Sequence, residues 1–201
     1  MQSYNSVKVC IIGSCNVGKT SIILKYLNNK KTVDTTLGAI FWQIEHTPKC
    51  GSSFYINLWD TAGQERYNSL IPMYSRNSEI MLLTFDITDR NSFIDLKKWV
   101  KIANNNNPDS AIILIGNKID KSFFRKTESN EVKDFINKNF ESNILYFETS
   151  AETGENINEL FDKIFKIALT KIKIKKITED AKKIKVDLEN NKLKFTCCAI
   201  I

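Results

Sequence analysis

The stretch Gly13-Ser14-Cys15-Asn16-Val17-Gly18-Lys19-Thr20 decides how this chain folds. It fits G-x-x-x-x-G-K-[ST], the pattern of a phosphate-binding loop. Just before it, Val7-Lys8-Val9-Cys10-Ile11-Ile12 is a short apolar run rich in β-branched residues, as expected of a buried strand. Just after it, Thr20 to Leu27 contains no breaker and can wind as a helix. Strand, glycine-bearing turn and helix is the order that phosphate binding needs. Gly13 and Gly18 let main-chain N–H groups turn inward and let the backbone approach an anion, and the helix N-terminus adds partial positive charge. The reading places Ser14, Cys15, Asn16, Val17, Gly18, Lys19, Thr20 and Ser21 around the phosphates. Lys19 neutralises the β- and γ-phosphates, and the Thr20 hydroxyl is a ligand for Mg²⁺.

Outward from this loop the pattern alternates strand and helix, which argues for an α/β fold, an open sheet with helices on both faces. Ala39–His46 and Phe54–Asp60 read as two strands joined by a turn containing Pro48. Ile80–Asp86, Ala111–Gly116 and Ile144–Thr149 read as further strands. Helical segments are expected around Leu70–Tyr74, Ser92–Ala103, Asn130–Asn139 and Asn156–Ala168. The last carries Ile157, Leu160, Phe161, Ile164 and Ile167 at helical spacing, a core stripe. Asn104–Asn107, followed by Pro108, reads as a surface loop ending a helix.

Composition bounds the partners. A chain of 201 residues with 42% apolar content is long enough for one well-buried domain plus an appendage. The division expected is residues 1–169 as the domain and 170–201 as a basic tail. From Lys163 onward 11 Lys face 4 acidic residues, a balance of +7, which leaves −1 for the rest of a chain carrying +6. The basic excess therefore belongs to the tail, and nucleic acid is not an expected partner. The 5 Cys include no C-x-x-C pair and His46 is the only His, so neither a zinc site nor a disulfide framework is indicated. With no secretory signal and no apolar stretch of spanning length, a cytosol-facing, reducing setting is expected.

Four further stretches narrow the chemistry. Asp60-Thr61-Ala62-Gly63-Gln64-Glu65 leaves the second hairpin strand; its carboxylate can hold the metal's water shell, Gly63 can offer its N–H to the γ-phosphate, and Gln64 can orient an attacking water. Thr36 supplies a second hydroxyl for Mg²⁺. Asn117-Lys118-Ile119-Asp120 follows an apolar strand: Asp120 can accept from both N–H groups of a guanine edge, which adenine cannot satisfy, and Lys118 can lie along the ring. Ser150-Ala151, after the last strand, can offer a backbone N–H to the guanine carbonyl.

These motifs, in this order, resemble those of the Ras superfamily, and within it the chain resembles the Rab branch. Thr36-Leu37-Gly38-Ala39-Ile40-Phe41 is similar to the Rab effector segment, and Leu58 to Tyr67 to the Rab interswitch and switch II, with a lean toward the early-endosomal subgroup. The resemblance implies a Ras-like P-loop fold: a six-stranded mixed sheet with one antiparallel edge pair and the nucleotide across the carboxyl ends of the strands. It implies a switch, on with GTP and off with GDP, that hydrolyses GTP slowly through a Gln64-oriented water, with Lys19 and Mg²⁺ stabilising the developing charge. The implied partners are effectors, an exchange factor, a GTPase-activating protein and an escort- or GDI-type chaperone, at the cytoplasmic face of endosomal or Golgi-type membranes. Phe41, Trp59 and Tyr74 are the implied effector patch. A guanine-nucleotide-dependent membrane scaffold with negligible turnover is the rival, and Gln64 argues against it. Two departures bear on the base. Related proteins carry an aromatic residue seven positions before the switch Thr, where this chain has Asn29, and they carry Lys where it has Glu152.

The tail has Ile177, Ala181, Ile184 and Leu188 at i, i+4, i+7 and i+11. It is expected as a solvated linker, with an extension of the preceding helix or an amphipathic membrane segment as alternatives. Cys197-Cys198-Ala199-Ile200-Ile201 is a C-a-a-X box with a second Cys upstream, a prenylation signal. The Rab resemblance favours two geranylgeranyl groups on Cys197 and Cys198.

Overall fold

The computed structural model describes residues 5–28, 36, 38–49, 51–63, 69–140 and 144–196, with side chains through residue 183. Gln64, Asn29, Leu37, Cys197 and Cys198 lie outside the described residues.

Six strands form one sheet: β1 Ser6–Ile12, β2 Ala39–His46, β3 Phe54–Thr61, β4 Ile80–Asp86, β5 Ala111–Asn117 and β6 Leu145–Thr149. Their order is β2-β3-β1-β4-β5-β6. β2 pairs antiparallel with β3, and the remaining neighbours pair in parallel. The mixed sheet with one antiparallel edge pair is the arrangement expected. β4 is buried along its whole length because it is central and covered on both faces, whereas β2 alternates more freely at the edge.

The helices are α1 Lys19–Tyr26, α2 Ile71–Ser75, α3 Arg90–Ile94, α4 Leu96–Asn106, α5 Ser129–Asn139 and α6 Ile157–Thr196. They cover two apolar layers. On one face Ile22 and Ile23 of α1 and Leu160, Phe161 and Ile164 of α6 pack on the inward residues of β1, β3 and β5. On the other Leu96, Trp99 and Val100 of α4 and Phe135 of α5 pack on β4 and β5. Tyr26 stacks on Phe161 at 3.8 Å, and His46 stacks on Phe165 at 4.0 Å, so the one histidine is a packing residue.

The helix expected over Ser92–Ala103 is found as α3 and α4, which meet at Asp95; there the dihedrals stay helical and the N–H still donates to the Asn91 carbonyl at 2.9 Å. Two differences from the sequence reading have physical causes. Asn107, expected in a surface loop, is buried: its Nδ2 donates to the Ser75 carbonyl at 2.8 Å and its Oδ1 accepts from Ser78 N–H at 3.0 Å. The helix expected to end near Ala168 runs on to Thr196, so the start of the tail is helical rather than a linker. No Gly or Pro interrupts residues 157–196, and Lys, Leu and Glu are good helix formers. Among the described residues no helix is long and apolar enough to cross a membrane.

Candidate functional site

The carboxyl ends of β1, β3, β4, β5 and β6 face one edge of the sheet, and the loops leaving them meet there. β1 delivers the turn Gly13–Gly18 and α1. Gly18 has φ 93°, and a Cβ on it would lie 2.3 Å from Asn117 Nδ2, so glycine is required on both counts. The cleft that results has a volume of about 710 Å³. Cys15, Asn16, Gly18, Lys19, Thr20 and Ser21 line one wall; Thr36 and Gly63 line the next; Asn117, Lys118, Asp120 and Ala151 line the far wall. Segments more than a hundred residues apart in sequence are thus brought to one cavity of nucleotide size. Of the expected set, Ser14, Val17, Asp60 and Ser150 stand just behind the lining.

At the phosphate end Lys19 is buried, 6% exposed, and its Nζ donates to the carbonyls of Gly13 and Ser14 at 2.9 Å each. Burial pushes its ammonium down to about 8, against the pull of Asp60 and Cys15. Asp60 is fully buried at the end of β3, and burial pushes its carboxyl up to about 6, opposed by the hydrogen bond from Thr20 and by the charge of Lys19. Thr20 Oγ1 donates to Asp60 Oδ2 at 2.6 Å. Its single proton is thereby committed, so Thr36 donates in the 2.8 Å contact between the two hydroxyls. Asp60 Oδ1 has no hydrogen-bond partner among the described residues. Two hydroxyls and a carboxylate with an orphaned oxygen form a hard-oxygen donor set, which fits Mg²⁺. A desolvated ammonium beside it, with no carboxylate among the described residues close enough for an ion pair, fits a phosphate. A Cβ on Gly63 would fall 2.4 Å from the Ser14 carbonyl oxygen and 2.5 Å from Lys19 Nζ, so only glycine lets this strand end close on the loop.

At the far end Asn117, 1% exposed, is a junction. Its Nδ2 donates to the Val17 carbonyl at 2.9 Å, and its Oδ1 accepts from Thr149 Oγ1 and Ala151 N–H, both at 3.2 Å. It ties the phosphate loop to the loop after β6. The Ala151 N–H, expected to face a guanine carbonyl, is given to Asn117 here. Ser150 Oγ donates to Asp120 Oδ1 at 2.6 Å and so fixes how that exposed carboxylate presents itself. Beneath, Arg125 grips Glu148 through two bonds of 2.9 and 2.6 Å, and Ser129 and Tyr146 donate to the same carboxylate. That hydrogen bonding holds the Glu148 carboxyl down at about 2.

Three contributors escaped the sequence reading. Asp86 pairs with Lys118 Nζ at 2.7 Å and steadies the lysine stem beside the cleft. Asp95 accepts from Ser14 Oγ at 2.7 Å and anchors the phosphate loop from outside. Lys25 Nζ donates to the Glu152 carbonyl at 2.5 Å and closes the rim. Only Asp86 carried a signal, as a charged residue ending an otherwise apolar strand; the other two are pairings across the fold. Away from the cleft, Phe41, Trp59 and Tyr74 form one surface, with ring centroids 5.3 Å apart for the first pair and 5.8 Å for the second. Phe41 is 49% exposed, and Met73 beside this surface on α2 is 59% exposed.

A sequence model described as Ras family matches residues 8–170 of this chain. The chain belongs to the Ras family. The human Ras-related protein Rab-31 is 37% identical over 168 residues, 82% of this chain and 84% of that protein. The fission yeast (Schizosaccharomyces pombe) GTP-binding protein ypt5 is 38% identical over 79% of this chain and 76% of its own length. A putative ras-related protein Rab-5B of Dictyostelium discoideum is 38% identical over 78% of this chain and 72% of its own. Within the Ras family this is a small GTPase of the Rab branch, of early-endosomal type. The Ras-family match begins in β1 and ends in α6, so it spans every loop that lines the cleft.

Proposed function

We propose that the cleft holds GTP or GDP with Mg²⁺ and that the protein is a slow GTP hydrolase, switching effector recruitment on endosomal membranes. The observation that carries this reading is the convergence of Lys19, Thr20, Thr36 and the half-satisfied Asp60 at one end of a cleft whose other end presents Asp120. In this reading Thr20 and Thr36 hold the metal directly and Asp60 holds it through its waters, while Lys19 pairs with the β- and γ-phosphates. Bound Mg²⁺ supplies positive charge beside those phosphates. Gly63 N–H meets the γ-phosphate, and Gln64 orients water for in-line attack. Asp120, steered by Ser150, reads both N–H groups on the guanine edge, and Lys118, steadied by Asp86, covers one face of the ring. Asn117 positions the two loops rather than contacting the base.

The γ-phosphate orders Asn28–Gly38 and Gly63–Tyr74 when bound and releases them on hydrolysis. In sequence Phe41 and Trp59 fall between those two segments and Tyr74 ends the second, and on this surface effectors sense the nucleotide state. Prenyl groups on Cys197 and Cys198, helped by the basic tail, hold the protein on the membrane; one chain alone anchors marginally. An exchange factor, an activating protein and an escort-type chaperone complete the cycle.

The test is direct. The purified protein should bind GDP and GTP, not ADP or ATP, in the presence of Mg²⁺, and should hydrolyse GTP at roughly 10⁻⁴ s⁻¹ without an activator. Gln64→Leu should keep GTP binding and lower that rate. Hydrolysis by the substituted protein at the parent rate in single turnover would remove Gln64 from the mechanism.

A further inference from the structure

We infer that Lys25 is a positioning residue for the base, a latch that ties the loop after β6 to α1 and sets how long a nucleotide stays. The inference rests on the reading of the cleft as a guanine-nucleotide site. Lys25 stands in the last turn of α1, one residue before its end, and lines the cleft. Its Nζ donates to the Glu152 carbonyl at 2.5 Å, across 127 positions of sequence. Six charged residues line the cleft: Lys19, Lys25, Lys118, Asp120, Lys121 and Glu152. Lys19 is bonded to carbonyls of the phosphate loop, Lys118 to Asp86 and Asp120 to Ser150. Among the described lining residues, Lys25 is the lysine that bonds the loop after β6. No carboxylate among the described residues stands within ion-pair distance of it, so its partner is a neutral carbonyl.

The loop leaves room for this side chain. Gly154 has φ 94°, and a Cβ there would lie 2.9 Å from Lys25 Cε and 4.0 Å from its Cγ. Glycine serves both the left-handed backbone and the space that the aliphatic stem occupies.

The loop is also tied within itself. Gly154 N–H donates to the Ser150 carbonyl at 2.8 Å, Thr153 N–H to Ser150 Oγ at 3.0 Å, and Ser150 N–H to the Glu155 carbonyl at 3.1 Å. Holding Glu152 therefore holds Ser150, which bonds Asp120, and Ala151, which bonds Asn117. α1 in turn opens with Lys19, six residues before Lys25 and about 9 Å from it along the axis. One short helix thus meets the phosphate end with its first residue and the base loop with its last turn.

The latch works by geometry. Its acceptor is neutral and lies on the base loop, so it holds GDP and GTP alike. Attraction of the ammonium for the phosphates would instead favour GTP, which carries one phosphate more, and would fade in salt.

The test uses the full chain with Mg²⁺, loaded with a fluorescent GDP or GTP analogue, and reads release by stopped flow. Lys25→Met keeps the stem and removes the donor. It should release both analogues faster by the same factor, roughly 2- to 10-fold, the worth of one hydrogen bond. That factor should persist from about 0.1 M to about 1 M salt. Lys25→Arg returns a donor and should release more slowly than Lys25→Met. A larger factor for GTP than for GDP, or a factor lost in high salt, would make Lys25 a phosphate-attracting charge and overturn the latch. No slowing in Lys25→Arg would overturn it too. Release from Lys25→Met at the parent rate with a lowered Tm would leave the residue a structural role alone, and the latch would fall while the reading of the cleft stood. A parent protein that bound neither analogue would overturn both.

Discussion

Replacing Asn117 by Ala tests whether the junction between the two loops governs nucleotide retention. The side chain makes three hydrogen bonds, buried ones of 2.9 Å to the Val17 carbonyl and 3.2 Å from Thr149 and a partly buried one of 3.2 Å from Ala151 N–H. Each such bond contributes about 0.5–1.5 kcal/mol net, and truncation leaves three partners unpaired, so the total loss is on the order of 2–4 kcal/mol. The Val17 carbonyl and the Ala151 N–H sit on opposite walls of the cleft, so the tie is worth most when a nucleotide holds both walls at fixed separation. If about half of the loss falls on the bound state, affinity for GDP drops roughly 5- to 30-fold. The remainder lowers Tm by about 2–8 °C for a domain of this size. Stopped-flow release of a fluorescent GDP analogue and a thermal melt separate the two parts. Thr149→Ala removes only one of the longer bonds and should sit between the parent and Asn117→Ala. Release at the parent rate from Asn117→Ala, with Tm lowered, would refute the argument: the junction would then serve stability alone.

Three further outcomes are expected. Gly63→Ala drives a methyl into the Ser14 carbonyl and Lys19 Nζ, and overpacking costs about 1–3 kcal/mol; it should lower the preference for GTP over GDP by roughly ten-fold or more, read from the two dissociation constants. Glu148 has its carboxyl held near 2, mainly by Arg125, so the stability it contributes is complete above its ordinary value of 4.5 and is lost as pH falls toward 2; Glu148→Gln should flatten acid unfolding over that window by about 1–2 kcal/mol, the pair being partly exposed to solvent. A melt series that leaves the acid limb unchanged would discount the ion pair. The resemblance implies an aromatic residue against the base at the position of Asn29, and a stacking partner contributes about 1–3 kcal/mol, so GDP should leave this protein fast and Asn29→Phe should slow it. Slow release from the parent, or no change in the variant, would mean that another residue covers the base.

What the sequence determined by itself was local. The loop from Gly13 to Thr20, the strands Ala39–His46 and Ile80–Asp86 and the run Asn117–Asp120, proposed to read guanine, each declare themselves through backbone requirements and periodicity carried within a few neighbouring residues. The order of those segments was enough to assign the fold class and the chemistry expected of the cleft. Tertiary structure decided the ties between them. Asn117 bonds a residue 100 positions away, Ser14 bonds Asp95 at 81 positions, and Asp86 meets Lys118 only because β4 and β5 lie side by side with their ends level. No pattern along the chain encodes these meetings, since they depend on which strands the crossovers make neighbours. The same reason accounts for Asn107, polar in sequence yet buried, and for α6. Its lysines suggested a solvated linker, but its first half is held in the helix by the core beneath it, and helix once begun propagates until a breaker stops it.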